Sequence, residues 1–346
     1  MASFAVDTLE VYMTTQLKGQ ETYFLPFNMG KGEGIETGSG NPHNPDGVDT
    51  EYLWLDVLTI DSILQLVESF IFYEVDKSNS KKKTLIFPRY HQRRAVSRLL
   101  KDMKTNHTDN NYLIQHSAGS GKTNTIAWLA HSLVSLHDDQ NRNIVDTVLI
   151  VTDRIVVDRQ LQDAVRQISH KNGVVKVMGD RETSSDLADA IAGNTKIIAT
   201  TIHKFAQINQ SDWMSVGNTA NKKFAILIDE AHSSTTGSYM SSVSQVLTET
   251  DPENGTIDEV QEVTVADAIE QEIARTGKQD NVSIIAFTAT PKATTLQLFG
   301  STQPDGSKAP FDVYSMKQAI NEGFILDVLN NYTTYKLSLI HISEPT

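Results

Sequence analysis

Gln115–His116–Ser117–Ala118–Gly119–Ser120–Gly121–Lys122–Thr123 is the stretch around which the chain is organised. Tyr112–Leu113–Ile114 before it is a short apolar run of the kind that forms a buried strand. Thr125 through Val134 after it is apolar at helical spacing. Strand, glycine-rich turn and helix in that order make a phosphate-binding loop. Gly119 and Gly121 let the backbone approach phosphate oxygens and take up turns that a Cβ opposes. The N–H groups and partial positive charge of the helix start face the anion. Ser117, Ala118, Gly119, Ser120, Gly121, Lys122 and Thr123 are therefore the candidate nucleotide contacts. Lys122 supplies a point charge for the β- and γ-phosphates, and the Thr123 hydroxyl is a ligand for Mg²⁺. The strict pattern G-x-x-x-x-G-K-[ST] fails at its first position, where His116 stands.

A second strong signal lies about a hundred residues on. Ala225–Ile226–Leu227–Ile228–Asp229–Glu230–Ala231–His232 is an apolar strand that delivers adjacent carboxylates at its C-terminal end. Open α/β sheets place ligands at that end. Asp229 is the candidate Mg²⁺ holder, and Glu230 the group that orients the attacking water. Lys122, Asp229 and Glu230 thus form the candidate catalytic set. Three further strand-end loops carry hydroxyls or a base: Phe287–Thr288–Ala289–Thr290–Pro291, Thr152–Asp153–Arg154, and Ala199–Thr200–Thr201–Ile202–His203–Lys204. Read singly, each fits ordinary loop chemistry as well as a phosphodiester contact.

Around these motifs, strand and helix patterns alternate from Phe87 onward. That alternation predicts an α/β fold, a parallel sheet with helices on both faces. The expected strands are Tyr112–Gln115, Thr147–Thr152, Lys196–Thr200, Phe224–Ile228 and Ser283–Phe287, and Pro88–Arg89–Tyr90 opens a helix through Leu100. Upstream, residues 4–28 are rich in β-formers and predict two strands joined by a turn at Lys18–Gly19 and Gln20–Glu21. Residues 29–49, dense in Gly, Pro and Asn, read as a loop or linker. Trp54 to Phe70 reads as one or two amphipathic helices with Asp61 as an N-cap, and Lys77 to Lys83 as a polar connector.

The chain has 346 residues, a net charge of −13 and no cysteine, which excludes disulfides and thiolate metal sites. No apolar run long enough to span a bilayer and no leader pattern is present, so a cytoplasmic protein without membrane contact is the expectation. The acidity is local. Glu249 to Glu272 holds nine acidic residues and no Lys or Arg, and reads as an exposed insertion.

Taken together, the order His-Ser-Ala-Gly-Ser-Gly-Lys-Thr, Thr-Asp-Arg, Ala-Thr-Thr-Ile-His-Lys-Phe, Asp-Glu-Ala-His and Phe-Thr-Ala-Thr-Pro resembles superfamily 2 helicase and translocase motors. With Phe-Pro-Arg-Tyr-His-Gln at 87–92 and Asp-Glu-Ala-His-Ser-Ser at 229–234, it resembles more closely the motor (restriction) subunit of type I restriction–modification enzymes. The resemblance implies a RecA-like first motor domain over residues 86–330. It implies a nuclease-domain remnant over 1–28, a linker with helices over 29–85, and over 331–346 the start of a bridge to a second motor domain followed by a non-native tail. It implies ATP and Mg²⁺ as cofactors. Gln92 would recognise adenine, Arg154, Thr201 and His203 would sit near the DNA backbone, and His232, Thr288 and Thr290 would couple ATP state to DNA grip. Double-stranded DNA and the methyltransferase and specificity subunits would be partners. No Glu-x-Lys triplet of the family's nuclease occurs, and no second motor domain is legible, so the isolated chain is expected to be nearly inactive. Another superfamily 2 DNA or RNA helicase, and a non-catalytic interaction fragment, are the competing readings.

Overall fold

The computed structural model describes residues 1–75, 83–107, 110–152, 155–168, 174–179, 181–201, 222–229 and 281–327. The chain opens with a three-stranded antiparallel sheet, β1 (Ser3–Val6), β2 (Val11–Thr14) and β3 (Leu25–Pro26). Gly19, at φ +60°, lies in the β2–β3 connection, where the sequence places a turn. Helix α1 (Ile60–Gln65) follows, then an antiparallel ribbon of β4 (Phe72–Val75) and β5 (Lys83–Ile86).

The centre of the molecule is a seven-stranded sheet. Helix α2 (Tyr90–Asn106) leads into β6 (Tyr112–His116), α3 (Lys122–Val134) and β7 (Thr147–Thr152). Then come α4 (Ile155–Ile168), β8 (Val175–Val177), α5 (Ser184–Ala192), β9 (Ile197–Thr201) and β10 (Phe224–Ile228). β11 (Val282–Thr288), α6 (Ala293–Phe299), the short pair β12 (Ser301–Thr302) and β13 (Lys308–Ala309), β14 (Asp312–Tyr314) and α7 (Met316–Asn321) complete it. The strand order is β14-β6-β11-β10-β7-β9-β8, and every pairing is parallel. This is the RecA-like α/β sheet expected from the sequence.

The apolar strands are buried on both faces, and their two-residue period splits the core in two. Val148, Ile150, Ala225, Leu227 and Phe287 face one cluster, which includes α2, α3 and the N-terminal strands. Leu149, Val151, Ile226, Ile228 and Ala286 face the other, with Leu187 and Ile191 of α5 and Phe299 of α6.

The N-terminal residues join the first cluster. Phe4 meets Phe27 and Phe87 at ring-centroid distances of 5.4 and 5.9 Å, and Phe27 meets Tyr90 of α2 at 5.7 Å. The stretch read as a linker is tied down as well. Buried Asn41 donates to Leu9 O at 2.8 Å and to Asn28 Oδ1 at 3.0 Å, and accepts from Met29 N at 2.8 Å.

Two local expectations need correction. Residues 53–70 are not one or two regular helices. α1 is flanked by wide π-type turns at Leu53–Val57 and Leu66–Phe70, which bury Leu53, Val57, Leu66 and Phe70. The N-cap of α1 is Thr59, in extended conformation, and Asp61 lies in the first turn. The acidic stretch 249–272, most of the polar connector 77–83 and the tail 331–346 lie outside the described residues.

Candidate functional site

β6 delivers the phosphate loop to the C-terminal edge of the sheet, between β14 and β11. Gly119 and Gly121 have φ of +71° and +80°, the left-handed region where a side chain is strained. A Cβ on Gly119 would meet Ile325 Cγ2 at 2.8 Å, and one on Gly121 would meet Gln92 Nε2 at 2.6 Å. Gly121 caps α3, whose first N–H groups lie ahead of the helical ladder and point out of the helix end. Ala118 and Gly119 are exposed, while Ser117 and Ser120 are buried. Lys122 Nζ reaches back to His116 O at 3.4 Å, across the concave side of the loop, and Thr123 is the second residue of the helix.

His116, the departure from the strict pattern, has a plain account. It is the last residue of β6, paired in register with Tyr314, and its backbone is extended rather than left-handed. Glycine is not needed there. Its ring instead joins a buried polar network beneath the loop. His116 Nε2 donates to Asp312 Oδ1 at 3.0 Å. Asp312 also accepts from Arg94 Nε at 3.0 Å, Arg94 Nη2 at 3.1 Å and Arg98 Nη1 at 3.0 Å. Burial would raise the Asp312 carboxyl, but Arg94 and the His116 bond outweigh it and hold it well below the usual carboxylate range. Burial lowers His116, and lowers His91 further with the neighbouring His116 ring adding to the effect, so both rings are neutral.

The same network grips the loop from above. His91 Nε2 donates to Ser120 O at 3.0 Å, and the ring stacks on Tyr314 at 3.6 Å. Arg89 Nη1 donates to Gly119 O at 3.0 Å and covers the Phe324 ring at 3.7 Å. Tyr314 ties in further, its carbonyl accepting from Ser117 N at 3.0 Å and its hydroxyl donating to Glu322 Oε2 at 2.7 Å. Burial raises the Glu322 carboxyl. None of Arg89, His91, Arg94, Arg98, Asp312 or Tyr314 stood out in the sequence as site residues.

The other candidates fall along the same edge. Asp229 is 5% exposed and sits one residue past the Ile228–Ala286 pair of β10 and β11, beside Phe287. Phe287 pairs with Ile114 of β6. Asp229 is therefore level with Ile114, two strands across at about 10 Å by the usual strand spacing, and β6 runs on to His116 before the phosphate loop begins at the same edge of the sheet. The neighbouring strand ends add Thr152 and Thr201, which pair with each other, and Thr288, whose Oγ1 accepts from Thr290 N at 3.2 Å. Thr201 and Thr288 are buried and Thr290 is exposed. Glu230, His232, Arg154 and His203 lie outside the described residues. Gln92 reaches the loop, but by holding it. Its Nε2 donates to Ser120 O at 3.3 Å and Gly121 O at 3.0 Å, and its Oε1 accepts from Arg89 N at 2.9 Å.

A glycine-turned loop at a helix start, a lysine folded across it and a carboxylate two strands away are the chemistry that could hold a nucleoside triphosphate. Residues 91–342 match the SWI2/SNF2 ATPase family.

The chain belongs to the SWI2/SNF2 ATPase family.

As a member, it is an ATP-using, helicase-like enzyme. It is similar to a Methanocaldococcus jannaschii protein provisionally named as the type I restriction enzyme MjaVIIIP endonuclease subunit, at 27% identity over 212 residues, 57% of this chain and 20% of the relative. It is also similar to the type I restriction enzyme SauCOLORF180P endonuclease subunit of Staphylococcus aureus, at 26% identity over 220 residues, 56% of this chain and 22% of the relative. The chain thus spans about a fifth of the length of the curated relatives it matches. Among solved structures, a DNA-bound ATP-dependent type ISP restriction–modification enzyme, LlaBIII, overlaps 72% of this chain and 16% of its own at 14% identity and a TM-score of 0.37. No helix among the described residues is long and apolar enough to cross a membrane.

Proposed function

We propose that this SWI2/SNF2 ATPase is the ATP-driven DNA-translocating part of a type I restriction endonuclease subunit, pulling double-stranded DNA past itself. The observation that carries the reading is the meeting of the phosphate loop and Asp229 at one sheet edge, in a chain similar to restriction subunits. Lys122 holds the β- and γ-phosphate oxygens against the helix start. Thr123 and Asp229 are the residues fit to hold Mg²⁺, a hard cation that takes hydroxyl and carboxylate oxygens and, when bound, offsets phosphate charge. Glu230 positions the attacking water and takes its proton. Thr201, Arg154 and His203, at or just beyond strand ends of the same edge, contact the DNA backbone. Thr288, Thr290 and His232 pass the state of the nucleotide to that grip.

The methyltransferase and specificity subunits of a restriction complex are the proposed partners, with sequence reading left to them. The acidic balance of the chain fits a motor that follows the DNA backbone along a local track rather than coating it. Turnover by the 346-residue chain alone is expected to be very slow, so the test compares its residual ATP hydrolysis with duplex DNA, with RNA and with neither. Stimulation by duplex DNA alone supports the reading. Stimulation by RNA in preference to DNA, or co-purification with no methyltransferase subunit in the native host, contradicts it.

A further inference from the structure

We propose that Ile325 is a positioning residue for the phosphate loop, and that helix α7, which carries it, ties that loop to the segment around Gly30–Thr37 upstream of the motor sheet. This rests on the phosphate loop being the nucleotide site, and adds to it the element that holds its shape.

The loop needs support because its glycines make it soft. Gly119 and Gly121 give it a curve that other residues resist, but glycine also has the most backbone freedom to lose. A ligand bound by such a loop must offset that ordering, so a contact that fixes the curve beforehand raises affinity. Ile325 makes such a contact at the tip. Its Cγ2 lies 2.8 Å from the point where a Cβ on Gly119 would stand, and Phe324 O lies 3.5 Å from the same point. The space that a side chain on residue 119 would take is thus filled by Ile325.

The position of Ile325 is set by α7. Gly323, at φ +75°, ends the helix in the left-handed conformation that turns the chain back on itself. Phe324 N and Ile325 N both donate to Ala319 O, at 2.9 and 3.4 Å. The helix is anchored at its start as well. Ser315 caps it, with Oγ accepting from Gln318 N at 2.9 Å and donating to Thr37 O. Lys317 Nζ pairs with Glu36 Oε2 at 3.1 Å. Gln318 is buried against Gly30, where a Cβ would meet its Oε1 at 2.7 Å. Just before the helix, Tyr314 O accepts from Ser117 N. The span 314–325 therefore touches the phosphate loop at both ends, at Ser117 and at Gly119, and leans on Gly30–Thr37 between them.

The test is calorimetric titration of the 346-residue chain in Mg²⁺ with a non-hydrolysable ATP analogue and with inorganic tripolyphosphate, each variant being measured below its own thermal midpoint. Ile325→Ala is expected to weaken both ligands alike, about fivefold. Ile325→Val keeps Cγ2, and Leu326→Ala alters an exposed neighbour, so both are expected to bind as the unaltered chain does. Gly119→Ala is expected to weaken both ligands about tenfold. Adding Ile325→Ala to Gly119→Ala is expected to weaken them no further, because the new methyl group takes the space that Cγ2 leaves. The assignment of Ile325 is overturned, and the phosphate site stands, if Ile325→Ala binds both ligands as before or weakens the ATP analogue alone. It is equally overturned if Ile325→Val loses as much as Ile325→Ala, or if the two alanine changes multiply to about fiftyfold. If the unaltered chain binds neither ligand, or Lys122→Ala binds both as before, the site reading falls and takes this inference with it.

Discussion

Replacing Asp312 by asparagine tests the network that supports the phosphate loop. The Asp312 side chain is fully buried and faces Arg94, Arg98 and His116 at 3.0 Å each. Asn keeps the shape but removes the charge and turns an N–H₂ group toward donors. Stranding a buried partner of an ion pair costs about 3–5 kcal/mol. The lower end applies, because Arg94 retains bonds to Met29 O and Val313 O, and Arg98 is 53% exposed and regains water. About 3 kcal/mol, divided by a urea slope of about 3 kcal/mol/M, moves the unfolding midpoint down by roughly 1 M. Arg98→Ala, which removes only the exposed arm, is expected to cost under about 1 kcal/mol. Urea titration followed by tryptophan fluorescence reads both variants. A midpoint shift below about 0.3 M for Asp312→Asn, or equal shifts for the two variants, would refute the reasoning.

Further outcomes follow from the same geometry. Gly121→Ala combines a left-handed backbone, worth about 1–2 kcal/mol, with a clash on Gln92, so the affinity for an ATP analogue should fall at least about tenfold in calorimetry; an unchanged affinity contradicts the loop geometry. Burial keeps His91 and His116 neutral, so the unfolded chain takes up protons that the folded chain does not. Stability is then full above the ordinary histidine value and is lost as pH falls below about 6.5, by up to roughly 1.4 kcal/mol per pH unit for each ring. The raised Glu322 carboxyl acts in the opposite sense, so the slope is best read in Glu322→Gln; a flat profile between pH 7 and 5 in that variant, in urea titrations, counts against two neutral rings. Trp128 donates its indole N–H to Phe70 O at 2.9 Å and lies in the main core, so Trp128→Ala should cost about 3–5 kcal/mol, read as loss of a cooperative thermal transition near the parent midpoint.

Much of the fold was legible because its determinants are local. β7 and β10 begin and end where their apolar runs do, since strands buried on both faces admit no interruption. The phosphate loop was legible for the same reason: two glycines, a lysine and a threonine within five positions carry the signal. β14 was not legible. Asp312–Val313–Tyr314 looks like loop sequence until Asp312 is seen to lie 196 residues from His116 and 218 from Arg94 in the chain while touching both. No local pattern encodes such a pairing. The helical spacing of Trp54 to Phe70 misled for a different reason, since π-type turns put more residues in each turn and leave Leu55 and Val67 exposed. For Gln92 the sequence located the residue beside the nucleotide loop, but only the coordinates reveal that its amide is engaged with backbone groups.

The most direct test of the account is a crystal structure of the chain with Mg²⁺ and a non-hydrolysable ATP analogue. The expected result is a triphosphate wrapped by residues 117–123, with Lys122 Nζ on its β- and γ-oxygens and one metal ion between the Thr123 hydroxyl and the Asp229 carboxylate. A triphosphate bound away from this loop, or a metal ion that faces neither Thr123 nor Asp229, would contradict it.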